Sequence, residues 1–133
     1  MYKRTWEHKY NAKTTIIDEI KFSSKLEANA YLYFKENNIK IVELQPKFQL
    51  NNKFEYEWVK YREIKYVSDF IIKIWDTHII IDMKWMILPE YKLKKKLFLY
   101  KIWDFEKEFN IKLKFIEAKS LKDLKEQLLL INK

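Results

Sequence analysis

Three side chains are chemically out of place in their surroundings. Asp69 lies in Tyr66-Val67-Ser68-Asp69-Phe70-Ile71-Ile72, a carboxylate in the middle of an apolar run that reads as a strand. Asp82 directly follows Ile79-Ile80-Ile81, and Lys84 comes two residues later. Aspartate is depleted in strands and costly to bury unpaired, so both carboxylates are anomalies. Side chains two apart on a strand share a face, which projects Asp82 and Lys84 together. A hairpin connection at Asp76-Thr77-His78 would return the second strand beside the first and let Asp69 join them. Two carboxylates and an ammonium on one sheet face suit Mg²⁺, which takes oxygen ligands and keeps several waters. In the competing arrangement both aspartates are edge-strand residues paired with surface lysines.

The acid-x-lysine triplet carries no weight by itself. In a chain with 19 acids and 25 lysines, chance alone yields about three or four. Others begin at Glu7, Glu19, Glu63, Glu90, Glu117 and Asp123. What sets the triplet at 82 apart is its apolar strand and the partner carboxylate across a short hairpin.

The elements that must position these groups follow from patterning. Residues 24–37 read as a helix, with Ser24-x-x-Glu27 as a capping box and Leu26, Ala30, Tyr33 and Phe34 as its apolar stripe. Ile41–Leu44 reads as a short strand closed by Pro46. Phe54–Trp75 reads as one or two strands, with no turn signal between 63 and 75, and Ile79–Lys84 as another. Residues 90–109 carry apolar side chains at helical spacing, Lys112–Glu117 alternates as a strand does, and Ser120–Ile131 forms a leucine-striped helix. The order α-β-β-β-α-β-α predicts an α/β domain spanning 1–133, a mixed β-sheet flanked by helices, with residues 1–20 as an extended arm. Glycine is absent, so Asn, Asp and Pro must make the turns.

Composition narrows the chemistry. The 133 residues carry 27 Lys+Arg against 19 Asp+Glu, a formal net charge of +8. Such a charge favours polyanions, nucleic acid first, although lysine, isoleucine and asparagine are also what A+T-rich genomes impose on any protein. Hydrophobic residues at 48% provide a core, which argues against a disordered basic tail. Zero cysteines exclude disulfides, Cys-based zinc sites and thiol nucleophiles. His8 and His78 are too far apart in the sequence for a His-rich metal site. No apolar run approaches the ~20 residues of a spanning helix, and the first residues lack the apolar stretch of a signal peptide. No membrane is expected, and a reduced, cytoplasmic setting is.

The sequence resembles the DUF1064 family of small phage and bacterial proteins, members of the PD-(D/E)XK nuclease superfamily related to Holliday-junction resolvases. The likeness runs in order from Lys9-Tyr10-Asn11-Ala12-Lys13-Thr14 through Ile20–Ala28, Glu43-Leu44-Gln45-Pro46-Lys47-Phe48, Tyr66–Phe70 and Asp82-Met83-Lys84 to Tyr91–Phe98. Family members usually carry glycine where this chain has Glu19 and Trp85. The resemblance implies a restriction-endonuclease-like fold and a Mg²⁺-dependent DNA endonuclease, with Mn²⁺ able to substitute and no small-molecule cofactor. It further implies a homodimer acting on DNA in the cytoplasm of a bacterial or phage-infected cell. Asp69 and Asp82 would hold the metal and Lys84 would serve the reaction. Glu27 matches the family's helical acid, as a ligand directly or through water, while remaining a good helix cap. Gln45 matches the family's glutamine, and Glu43 is a weaker candidate.

The DNA-facing surface is expected at Lys92, Lys94, Lys95, Lys96 and Lys101, a run that suits either phosphate contact or the solvated face of a helix. The arm with Lys3, Arg4, Trp6, Lys9 and Tyr10 suits a DNA contact or a dimer arm. From a different class, the alternative is a non-catalytic DNA-binding or protein-interaction module that retains the nuclease fold.

Overall fold

A computed structural model describes residues 14–131; the Lys3–Tyr10 arm lies outside the described residues. A hairpin, β1 (Thr15–Ile17) and β2 (Ile20–Phe22), precedes helix α1 (Lys25–Glu36). Strands β3 (Lys40–Leu44), β4 (Lys47–Gln49), β5 (Phe54–Tyr56), β6 (Val59–Tyr61), β7 (Lys65–Val67), β8 (Phe70–Ile74) and β9 (Thr77–Met83) follow. The chain then forms α2 (Pro89–Tyr100), α3 (Ile102–Phe109), β10 (Lys112–Ala118) and α4 (Leu121–Ile131).

The Ile-Ile-Ile run makes β9 an inner strand. The main sheet has the order β10-β9-β8-β3, with β8 antiparallel to both its neighbours and β10 parallel to β9. Ile79, Ile81 and Met83 point to one face, where Ala30, Phe34, Leu124 and Leu128 bring α1 and α4 against them. Ile80 points to the other, into a cluster with Phe48, Tyr66, Phe98 and Phe105 under α2 and α3. Each fully buried isoleucine contributes about 1.5–3 kcal/mol. The fold is therefore a mixed sheet with helices on both faces, and both faces of β9 are covered.

Outside that sheet, β3 and β8 continue as a bent ribbon. Leu44 pairs with Phe70 in the main sheet, and Lys47 pairs with Val67 in the β4–β7 ribbon beyond it. The joint is Gln45-Pro46 opposite Ser68-Asp69, closed by Gln45 N–H to Asp69 O at 3.0 Å and Ser68 N–H to Pro46 O at 3.1 Å. Gln45 has φ 51°, left-handed and ahead of a proline, a position that non-glycine residues ordinarily avoid. The β5–β6 hairpin is the ribbon's far end.

Several expectations need correction. Asp69 stands at the break between β7 and β8, because the ribbon bends there, and not in mid-strand. The hairpin connection is Trp75-Asp76, with Trp75 at φ 57°, so Thr77 and His78 already belong to β9. The expected helix over 90–109 is two helices that meet at Lys101. Of the arm expected over 1–20, residues 1–13 lie outside the described residues, and 15–20 belong to a hairpin over 15–22, turned by Asp18 and Glu19 at φ 54° and 65°. The Glu57-Trp58 turn repeats that device, with φ 46° and 70°. Two consecutive positive φ values are what a two-residue type I′ turn demands, and here no glycine supplies them.

Candidate metal-binding site at the sheet end

The register that pairs Phe70 with Ile81 places Asp69 beside Asp82 one step further along. Cross-strand neighbours of an antiparallel pair share a face. Asp69 N–H donates to Ile81 O at 3.1 Å, and Met83 N–H donates back to Asp69 Oδ2 at 2.8 Å. The Asp69 carboxylate is thus held by the backbone of the strand that carries Asp82. Asp82 itself is completely buried, and its Oδ2 accepts from the hydroxyl of buried Tyr66. Its Oδ1 has no hydrogen-bond partner and lies 3.7 Å from Lys84 Nζ.

Lys84 is the first residue past β9, anchored by its N–H to Ala118 O at 2.9 Å. Its ammonium stands 4.8 Å from the centroid of the Tyr91 ring, a cation–π contact that restrains it from α2. Tyr91 is fixed in turn: its hydroxyl donates to Glu117 Oε1 at 2.7 Å, and Lys95 Nζ reaches the same oxygen at 2.7 Å. Glu117 is the register partner of Asp82 on β10. A chain of contacts therefore runs from Lys95 through Glu117 and Tyr91 to Lys84.

Glu27 enters from the first turn of α1. Ser24 Oγ accepts from Glu27 N–H at 3.1 Å, so the serine half of the capping box forms. The Glu27 carboxylate is buried and accepts from Ser23 Oγ at 2.7 Å. It is near enough to act on both aspartates and on Lys84 electrostatically.

Burial dominates the titration of this site. Desolvation pushes Asp82 up to about 7, with Lys84 and the Asp69 backbone opposing it and Glu27 and Glu117 adding to it. Asp69 is raised by the same desolvation and by the Glu27 charge, against the pull of Lys84 and the Met83 N–H. For Lys84 partial burial works against the ammonium, but Asp69, Asp82 and Glu27 outweigh it, and its pKa is raised. Burial, the Asp82 charge and the bond to Glu117 keep the Tyr91 hydroxyl protonated.

The donor chemistry fits a hard divalent cation. A buried carboxylate oxygen with no hydrogen bond and only the Lys84 ammonium at 3.7 Å is costly, and the Asp69 and Glu27 carboxylates interact with the same site electrostatically. Among the described residues, no three acids or histidines are gathered as a ready-made cage. That is compatible with Mg²⁺, which commonly takes one or two carboxylates and retains water.

The other expected residues are divided. Gln45 meets the site through its backbone, since its N–H binds Asp69 O and its side chain is exposed. Glu43 is exposed on β3, next to the irregularity between Ile41 and Glu43. The lysine run does not form one face. Lys95 is committed to Glu117, and Lys94 pairs with Glu90 at 3.0 Å. Lys92 and Lys96 are exposed one turn apart, and Lys101 sits at the α2–α3 joint. Sequence reasoning missed Tyr66, Tyr91 and Glu117. Tyr66 reads as core, and Glu117 meets Asp82 only through the β9–β10 register. The four-residue spacing of Tyr91 and Lys95 on α2 was the one readable signal.

A family model described as "Protein of unknown function (DUF1064)" matches residues 7–124, and the chain belongs to that family. No curated protein and no solved structure matches the chain. No helix among the described residues is long and apolar enough to cross a membrane.

Proposed function

We propose that this protein is a Mg²⁺-dependent DNA endonuclease that hydrolyses phosphodiester bonds, structure-selective in the manner of Holliday-junction resolvases. The observation that carries the reading is the buried Asp82 Oδ1, without a hydrogen bond and 3.7 Å from the Lys84 ammonium, on the strand whose backbone holds the Asp69 carboxylate. Charged groups with raised pKa values at the end of a sheet are what catalytic sites require, and stability alone does not favour them. The chain order α1, β3, β8, β9, α2–α3, β10, α4 around the main sheet supports a restriction-endonuclease-like arrangement.

Asp69 and Asp82 would hold the ion, with Glu27 adding a donor from α1. Mg²⁺ bound there would polarise the scissile phosphate and lower the pKa of a bound water, a role Mn²⁺ can also fill. Lys84, kept charged by the three acids and steered by the Tyr91 ring, would stabilise negative charge developing on the phosphate. Tyr66 would orient Asp82 by occupying Oδ2, which leaves Oδ1 for the ion. Lys92 and Lys96 would contact phosphates, and a homodimer would place two such sites for a two-strand cut.

The test is cleavage of duplex, single-strand, flap and four-way-junction DNA with Mg²⁺, with EDTA, and with the Asp82→Ala protein. Cleavage of at least one substrate that needs both the metal and Asp82 is expected. Tight binding without cleavage of any substrate would instead assign the fold to recognition.

A further inference from the structure

The β5–β6 hairpin has no structural role that accounts for its composition. All six strand residues are exposed, and a two-stranded hairpin alone is marginal in water. Register places Phe54 opposite Tyr61 and Tyr56 opposite Val59, so these four side chains share one face. The Phe54 and Tyr61 rings stack at 5.0 Å with only 14° between their planes. At the tip, Trp58 is 91% exposed on a turn with two non-glycine residues at positive φ, a strained way to present a large apolar ring.

We propose that this hairpin is a base-stacking finger, whose aromatic face and Trp58 take unpaired nucleobases of single-stranded or branched DNA. Stacking on aromatic rings is the sequence-tolerant way to hold a base, because every base has a π-face. Lys60 and Arg62 are exposed but alternate with Val59 and Tyr61, so they project from the opposite face, Lys60 across from Glu55, and the hold on a base comes from the rings and not from charge. A second copy of the chain is the poorer occupant. Two three-residue strands offer a face of roughly 10 Å by 10 Å, against about 800 Å² per partner in a stable dimer. The finger is also continuous with the site, since the ribbon it ends returns through β7 to Asp69. The inference rests on the nuclease reading for its choice of DNA, and its measurement needs no cleavage.

The experiment is binding in EDTA by fluorescence anisotropy. The probes are a single strand, a blunt duplex, and a fork carrying 2-aminopurine at the branch. The proteins are the wild type, Trp58→Ala, Trp58→Phe, Tyr56→Ala and the control Trp103→Ala, which removes an exposed tryptophan on α3. The wild type is expected to bind the single strand and the fork about tenfold tighter than the duplex. Trp58→Ala should lose about tenfold on those two probes only, Tyr56→Ala should lose in the same direction, and Trp58→Phe should recover most of the loss. The control should behave as wild type, and quenching of 2-aminopurine should require Trp58. Absence of a preference in the wild type, an equal loss on all three probes, or no loss in Trp58→Ala would overturn the proposal. So would a change of oligomeric state with the preference intact, which would make the finger a contact between copies. A protein that shows the preference but never cuts with Mg²⁺ would refute the nuclease and leave the finger standing.

Discussion

Replacing Asp82 by asparagine should make the metal-free protein more stable at alkaline pH. The folded pKa of about 7 stands above the ordinary 3.8, so the folded state holds a proton between those values that the unfolded chain has released. Stability from this group is therefore full below about 3.8 and lost as pH rises through 7. At pH 8, keeping the carboxylate ionised in its buried position costs about 1.36 kcal/mol per unit, or on the order of 4 kcal/mol. Asparagine keeps the shape and an acceptor for Tyr66, but its buried amide N–H groups take the place of an oxygen that has no hydrogen-bond partner and faces the Lys84 ammonium, which costs about 2 kcal/mol at every pH and offsets part of the gain. A net stabilisation of about 2 kcal/mol remains, which for a chain of this length raises Tm by roughly 6–8 °C. Thermal melts in EDTA from pH 5 to 8.5 read this directly. The difference between Asp82→Asn and wild type should be several degrees at pH 8 and should vanish near pH 5. Millimolar Mg²⁺ at pH 8 should raise the Tm of the wild type and leave the variant unmoved, as linkage to a ligand of the folded state requires. A variant that melts below wild type at pH 8, or a gain equal at both pH values, would refute the reasoning.

Other substitutions probe the supports of the site and the turns. Tyr66→Phe leaves both Asp82 oxygens without a hydrogen-bond donor and should destabilise the fold by about 1–3 kcal/mol in chemical denaturation, with the cleavage rate reduced. Ser24→Ala should cost about 1 kcal/mol of stability with cleavage intact, whereas Glu27→Gln should weaken the Mg²⁺-induced Tm shift; the pair separates the helix cap from the ligand. Glu19→Gly relieves a left-handed residue at φ 65° and should raise stability by about 1 kcal/mol in the same titration, with cleavage unchanged.

The long elements were legible because periodicity and caps agreed. Helix α1, strands β3 and β10, and helix α4 begin and end within a residue or two of what Ser24, Pro46, the alternation after Lys112 and Ser120 predict. The turns were not legible, because the usual marker residue is missing from this chain. Trp58, Trp75, Glu19 and Gln45 occupy left-handed positions that no propensity assigns to them, so the β1–β2 and β5–β6 hairpins and the ribbon joint went unread and the β8–β9 turn was placed one residue late. Asp69, Asp82 and Lys84 drew notice because charge among isoleucines is rare, and the structure does bring them together. Their supports stayed hidden for the opposite reason. A tyrosine in an apolar run looks like packing until the hydroxyl's partner is known, and the partner of Tyr66 is 16 residues away.

The parallel pairing of β9 with β10 also has a consequence during synthesis. Until Lys112–Ala118 have left the ribosome, Ile79, Ile80 and Ile81 form the bare margin of an unfinished sheet, with unpaired N–H and C=O groups along it. An antiparallel neighbour could have been supplied within a few residues; this one must wait for two helices to be made first. Nascent chains that stop between Met83 and Lys112 therefore expose a sticky β margin, a species that chaperones must shield or that self-associates. Asp82 and Lys84 stand at the end of that margin, and Glu117 is among the last residues added to complete it.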